Sequence, residues 1–153
     1  MSDTRIEFRD SLLEVMKEDE SIVLLTGDLG YSILEPIKET HPERYINCGC
    51  AEQNMVGVAA GLARVGKRPV VYSGALFLCT RALEQIRDDV CYPNLDVTLV
   101  GTGASGFLGF THNFEGEENY FDLIKNLPNL LRVEGVHRIK DVLKRKEPVF
   151  IKL

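Results

Sequence analysis

Cys48-Gly-Cys-Ala-Glu52-Gln-Asn-Met-Val-Gly-Val-Ala-Ala-Gly-Leu-Ala-Arg-Val-Gly66, followed by Pro69-Val-Val-Tyr72, decides how this chain is read. A short polar turn leads into residues that are almost all small or apolar, and Gly66 stops the run before a strand at 69–72. Between Val56 and Val65 the only charged side chain is Arg64. Apolar residues all round a helix predict one buried between other elements rather than lying on a surface. Gly57 and Gly61 are four apart and share a face, where they would let another backbone approach closely. Glu52 stands at the N-terminal end of this helix. An acid there is ordinarily a favourable partner for the helix dipole. An acid carried into an apolar layer is instead pushed toward its neutral form and needs a partner for its proton.

Outward from this stretch, strands and helices alternate. Phe8, Leu12, Val15 and Met16 recur at a helical period over residues 6–16. Short continuous apolar runs predict strands at 21–26, 44–47, 69–72, 96–100, 130–133 and 148–151, with further helices at 33–39, 81–90 and 139–146. Six strands that are apolar along both faces, separated by helices, predict an α/β fold with a mainly parallel sheet between helical layers. Ligands of such sheets sit beyond the carboxyl ends of the strands. The loops there are 27–32, 47–53, 73–79 and 101–117, and they hold most of the chemically interesting residues.

The length of 153 residues predicts one domain with an ordinary core. Eighteen Lys and Arg against 23 Asp and Glu give a net charge of −5, which argues against a nucleic-acid or anionic-membrane surface. The N-terminus has no basic-then-apolar pattern of a signal peptide, and no apolar run is long enough for a membrane span. Cys48, Cys50, Cys79 and Cys91 form no disulfide framework. Cys48-Gly-Cys50 is too tight for a zinc knuckle and lacks a second pair, so buried reduced thiols are expected and no metal ligands are assigned. These features place the protein in the cytoplasm. Met1 and the strand that closes the sequence read as natural ends.

Gly101-Thr-Gly103-Ala-Ser-Gly106 has the spacing of a dinucleotide fingerprint. That fingerprint opens a helix in the first strand–helix unit, whereas this one follows the fourth strand and runs on into Phe-Leu-Gly-Phe-Thr-His. A ligand-gated loop is the better reading. His41 and His137 read as surface residues.

Ala51-Glu52-Gln53 with the Val-Gly-Val-Ala-Ala-Gly-Leu-Ala that follows resembles the pyrimidine-binding domain of the transketolase group of thiamine diphosphate enzymes. Three further segments are similar to that group: Leu25-Thr-Gly27-Asp28-Leu29-Gly30, Gly109-Phe110-Thr111-His112, and Leu127-Pro128-Asn129-Leu130. The departures are Leu108 and Phe110, where the group commonly has Asp and Pro, and the acidic, aromatic run after His112.

The resemblance implies that Glu52 hydrogen-bonds N1′ of the cofactor's aminopyrimidine and so promotes loss of the thiazolium C2 proton, a role that a dry apolar setting would serve. It implies that His112 reaches substrate as an acid–base or hydrogen-bonding group, unless it is only a loop histidine. Asp28 and Gln53 would lie near the cofactor, with Asp28 otherwise a turn residue. Tyr72 and Phe77 supply rings near the aminopyrimidine, Phe77 as the stacking ring unless it belongs to the core. The group's Gly-Asp-Gly…Asn motif for Mg²⁺ and the diphosphate is missing, as are the diphosphate-binding and carboxy-terminal domains. The resemblance therefore implies the small subunit of a split enzyme, residues 1–153 forming one pyrimidine-binding domain. A larger partner subunit would hold Mg²⁺ and the diphosphate, in a two-fold heterotetramer. Alone, the chain would be inactive and bind thiamine diphosphate poorly. The reaction implied is ketol or acyl transfer from a 2-keto sugar or 2-oxoacid to an aldehyde-type acceptor. A 2-oxoacid decarboxylase subunit and a non-catalytic binding module on the same fold are the alternatives.

Overall fold

A computed structural model describes residues 3–103 and 121–153. Helix α1 (Thr4–Glu18) opens with Asp3, whose carboxylate accepts from the Arg5 amide, and buries Phe8, Leu12, Val15 and Met16. Strand β1 (Ile22–Thr26) follows, then α2 (Glu35–Thr40), a 3₁₀ turn (Pro42–Arg44) and β2 (Tyr45–Asn47). The central stretch forms α3 (Glu52–Arg64) and β3 (Arg68–Gly74). Gly66, at a φ of 88°, turns the chain between them. Strand β3 runs directly into α4 (Ala75–Arg81), then α5 (Leu83–Gln85) and a π-helical stretch (Ile86–Cys91). Strands β4 (Thr98–Thr102) and β5 (Leu131–Glu134), helix α6 (Ile139–Leu143) and strand β6 (Val149–Lys152) complete the described residues.

The six strands form one all-parallel sheet in the order β2-β1-β3-β4-β6-β5. Alternation along each strand divides the core in two. Val23, Leu25, Val71, Leu99 and Phe150 pack under α3, α4 and the π-helical stretch. Leu24, Val70, Tyr72, Val100 and Ile151 pack under α1, α2 and α6 on the other face. Because β2 and β3 lie on opposite sides of β1, the strand order reverses between β1 and β3. Open parallel sheets bind ligands at such a switch point, beyond the carboxyl ends of the strands.

Several expectations need correction. Helix α3 is not buried all round. Glu52, Met55, Val56, Ala59 and Ala60 are inside, but Asn54, Val58, Gly61 and Val65 form an exposed, uncharged face. A Cβ added at Gly57 or Gly61 would meet nothing within 4 Å, so no other part of the described chain makes the close approach expected there. Residues 75–79 are the first turns of α4 rather than a loop. Helix α4 fits tightly on the sheet because Gly101 has no side chain: a Cβ there would lie 2.8 Å from Ala75 Cα. Gly101 and Thr102 thus complete β4, and Gly101 serves packing rather than a phosphate.

The π-helical register shift, seen in Tyr92 N–H donating to the Arg87 carbonyl, lets the adjacent Val90 and Cys91 both face inward. His41 is half-buried, its Nδ1 accepting a 2.7 Å hydrogen bond from Arg44. All four thiols are free, with Cys79 and Cys91 buried but Cys50 exposed. Burial pushes the Cys79 and Cys91 thiols up to about 12. Among the described residues, no helix is long and apolar enough to cross a membrane.

Candidate active site

At the switch point, the chain leaving β2 is laid across the end of β1. Cys48 N–H donates to the Thr26 carbonyl, and the Asn47 side chain accepts from Gly49 N–H. Gly49, at a φ of 71°, takes the turn that L-residues avoid and delivers Glu52 as the first residue of α3. No side chain caps this helix, so its free amides favour negative charge at its start.

Glu52 is 3% exposed. Its two oxygens have different partners: Ser73 Oγ donates to Oε1 at 3.1 Å, and Arg81 Nη1 donates to Oε2 at 3.3 Å. The setting is therefore dry but not simply apolar, which departs from the expectation. Ser73 is the penultimate residue of β3, on the face opposite Tyr72, and Arg81 ends α4, so three successive elements converge on one carboxylate. The guanidinium of Arg81 also lies over the Phe77 ring, 4.0 Å from its centroid. Gly27, at the end of β1, leaves room for Ser73, since a Cβ there would stand 3.0 Å from its hydroxyl.

The expected residues divide accordingly. Glu52 and Phe77 come together, with Arg81 between them. Gln53 is exposed at the start of α3. Asp28 sits in the left-handed region at a φ of 57°, and its carboxylate accepts from Tyr31 Oη at 2.7 Å and Asn47 Nδ2 at 2.9 Å. Those donors hold its carboxyl below the usual range and brace the β1 loop against the β2 loop. Tyr72 is buried on the far face of the sheet, stacked on Phe8 at 5.9 Å. Strand alternation puts it there, one residue before Ser73, and the aromatic role expected of it toward a cofactor on the Glu52 side does not fit that position. His112 lies outside the described residues.

Ser73 and Arg81 escaped the sequence reading. The available signal was Arg81 itself, the one charged residue between Arg68 and Glu84 in an otherwise apolar run. A buried carboxyl beside a flat aromatic ring can hydrogen-bond and stack a planar heterocycle, so these residues fit an aminopyrimidine. Among the described residues, no group of three or more His, Cys, Asp or Glu could hold a metal ion.

The chain is similar to several known proteins. The chain is 39% identical over 113 residues to an apulose-4-phosphate transketolase subunit of Phocaeicola vulgatus, covering 71% of this chain and 36% of that protein. It is 32% identical to a 6-deoxy-6-sulfo-D-fructose transketolase subunit of a Clostridium species, covering 97% of this chain and 48% of that one. Among solved structures, an inactive β4 tetramer of a split-gene transketolase superposes with a TM-score of 0.85 at 36% identity, covering 98% of this chain and 50% of the other. The chain thus spans half or less of the length of these relatives. Residues 1–142 match the pyrimidine-binding domain of transketolase, and the chain belongs to that family.

Proposed function

We infer that this chain is the pyrimidine-binding component of a two-component, transketolase-like enzyme that works with thiamine diphosphate. The reaction is transfer of a ketol or acyl unit from a 2-keto donor to an aldehyde-type acceptor, and the sugar names carried by the relatives favour sugar substrates. The observation that carries this reading is Glu52, a buried carboxyl at the sheet's switch point within reach of an aromatic ring. A retired domain has no need of an acid there, yet Ser73 and Arg81 hold this one in a buried position that an apolar residue would fill at less cost.

Thiamine diphosphate supplies an acidic thiazolium carbon that, once deprotonated, adds to a carbonyl. This chain's residues do the preparatory work. Glu52 presents its carboxyl to the ring nitrogen and holds the proton shared there. Ser73 fixes one carboxylate oxygen so that the other can change partners. Phe77 offers a flat apolar surface. Asp28, braced by Tyr31 and Asn47, fixes the loop beside the cofactor, and Gln53 lines the start of the same helix. His112 is the candidate acid–base group toward substrate. The partner subunit holds Mg²⁺ and the diphosphate, which suits a chain without the Gly-Asp-Gly motif. Two copies of each chain in two-fold symmetry form the working assembly, in the cytoplasm. The open face of α3 supports that assembly, and the inactive β4 tetramer formed by a relative supports the need for the partner.

The test is calorimetric titration of thiamine diphosphate with Mg²⁺ on this chain alone and on its complex with the candidate large subunit, with turnover of 2-keto substrates measured in parallel. Binding and turnover are expected only in the complex, with turnover reduced about 100-fold or more in Glu52→Gln. An active Glu52→Gln complex overturns the mechanism. Release of CO₂ would mark a decarboxylase instead, and absence of both partner and cofactor binding would leave a binding module.

A further inference from the structure

Arg81 meets two requirements at once. Its guanidinium is flat, and it lies 4.0 Å from the centroid of Phe77, as a stacked ring would. It also occupies Glu52 Oε2, to which it donates at 3.3 Å, the oxygen a ring nitrogen would have to reach to use this carboxyl. Phe77 is 7% exposed, whereas the Arg81 side chain is 45% exposed. A planar heterocycle reaching Phe77 from solvent therefore arrives where the guanidinium lies.

We propose that Arg81 is a gate that competes with the cofactor's aminopyrimidine for Glu52 and for the Phe77 face, and that cofactor loading exchanges one flat group for the other. This rests on the function proposed above. In the exchange the hydrogen bond from Arg81 to Oε2 breaks and the guanidinium moves out into water, where its charge is well solvated. Oε2 of Glu52, released by the guanidinium, is then free to hydrogen-bond the ring. Ser73 keeps Oε1 in place throughout, so the carboxyl does not have to be repositioned. The arrangement keeps a buried carboxylate paired before loading. It also makes entry selective for a flat group that can both stack and hydrogen-bond.

The experiment is calorimetric titration of thiamine diphosphate with Mg²⁺ on the two-subunit complex, for the wild type, Arg81→Met, Arg81→Lys, Glu52→Gln and the double variant Glu52→Gln with Arg81→Met. Arg81→Met should bind roughly three- to tenfold more tightly, the range expected for removing a half-exposed ion pair that must otherwise be broken. Arg81→Lys, which keeps the charge but loses the flat fork, should lie between. In the Glu52→Gln background, Arg81→Met should gain less affinity than in the wild type, because only the competition for the Phe77 face remains. Should Arg81→Met fail to fold, Arg81→Lys and Arg81→Gln carry the comparison. An affinity within twofold of wild type, or a weaker one, overturns the gate, and the weaker result would make Arg81 a positioning residue that stays on Glu52. If no complex binds cofactor, including the wild type, the proposed function fails first and the gate falls with it.

Discussion

Ser73 donates a 3.1 Å hydrogen bond to Glu52 across 21 residues of sequence, tying the end of β3 to the first residue of α3. Both residues are buried, so the bond forms in a dry setting where a missing donor is not replaced by water. It holds the carboxyl by one oxygen and leaves the other available for exchange.

Ser73→Ala should therefore affect both stability and catalysis. It strands a buried carboxylate oxygen, which should cost about 1–3 kcal/mol in denaturant unfolding. In the assembled enzyme, kcat should fall about tenfold while KM for the 2-keto donor stays nearly constant, because orientation is lost rather than substrate contact. An unchanged kcat would remove Ser73 from the site's machinery.

Gly101→Ala should disturb the same site from below. The new Cβ would lie 2.7 Å from Ala75 Cβ and 2.8 Å from Ala75 Cα, and backbone cannot swing aside as a side-chain tip can. Either β4 or the start of α4 must shift, at a cost of about 2–4 kcal/mol. Urea unfolding should show a lower midpoint with an unchanged slope. Because α4 carries Phe77 and Arg81, cofactor affinity of the complex should also fall.

Much of the fold was legible in the sequence, for reasons that also mark where legibility ended. Helical period placed Phe8, Leu12, Val15 and Met16 inward on α1, and continuous apolar runs located the strands. Glu52 stood out as an acid opening an apolar helix. Tyr72 was misplaced because adjacent residues on a strand face opposite ways, and a one-residue difference decides which face of the sheet a ring joins. Helix α4 was hidden because its start depends on Gly101, a residue distant in sequence that alone permits the close approach. The exposed face of α3 was read as buried because hydrophobicity reports that a face needs a partner, not whether the partner belongs to the same chain.

Acid should weaken the fold through Asp19. Partial burial pushes its carboxyl up, but donors from Ser21 and the Arg68 guanidinium outweigh this and hold it at about 2. A folded pKa below the unfolded value of about 3.9 contributes stability above pH ~4 that is lost as pH falls toward ~2. Asp96, on the same guanidinium, shifts the other way: burial raises it, only partly offset by Arg68, and it lacks the Ser21 donors. Its contribution therefore declines as pH rises past the unfolded value and does not add to the acid loss. Asp19→Asn should lower stability by about 1–2 kcal/mol at pH 6, allowing for screening of a side chain that is 31% exposed. The difference from wild type should shrink below pH ~3 in urea unfolding measured from pH 2.5 to 6. A difference constant with pH would rule out Asp19 as the titrating group.

The open face of α3 leads to a prediction in which stability and assembly move in opposite directions. Asn54, Val58, Gly61 and Val65 line an exposed face without charge, and a Cβ at Gly61 has free space around it. Among the described residues nothing packs against Gly61, and a glycine there weakens the helix. Gly61→Ala should raise the stability of the isolated chain by about 0.5–1 kcal/mol, the ordinary gain for alanine in an exposed helix interior. If instead the glycine is kept so that a backbone from another subunit can approach, Gly61→Leu should leave the isolated chain folded yet shift the complex toward smaller species in sedimentation. A Leu side chain at a closely packed helix contact forces the elements apart, so the loss should be about tenfold or more in association. A Gly61→Leu chain that assembles as tightly as wild type would show that this face stays in water, and the contact between subunits would then have to be sought on another surface.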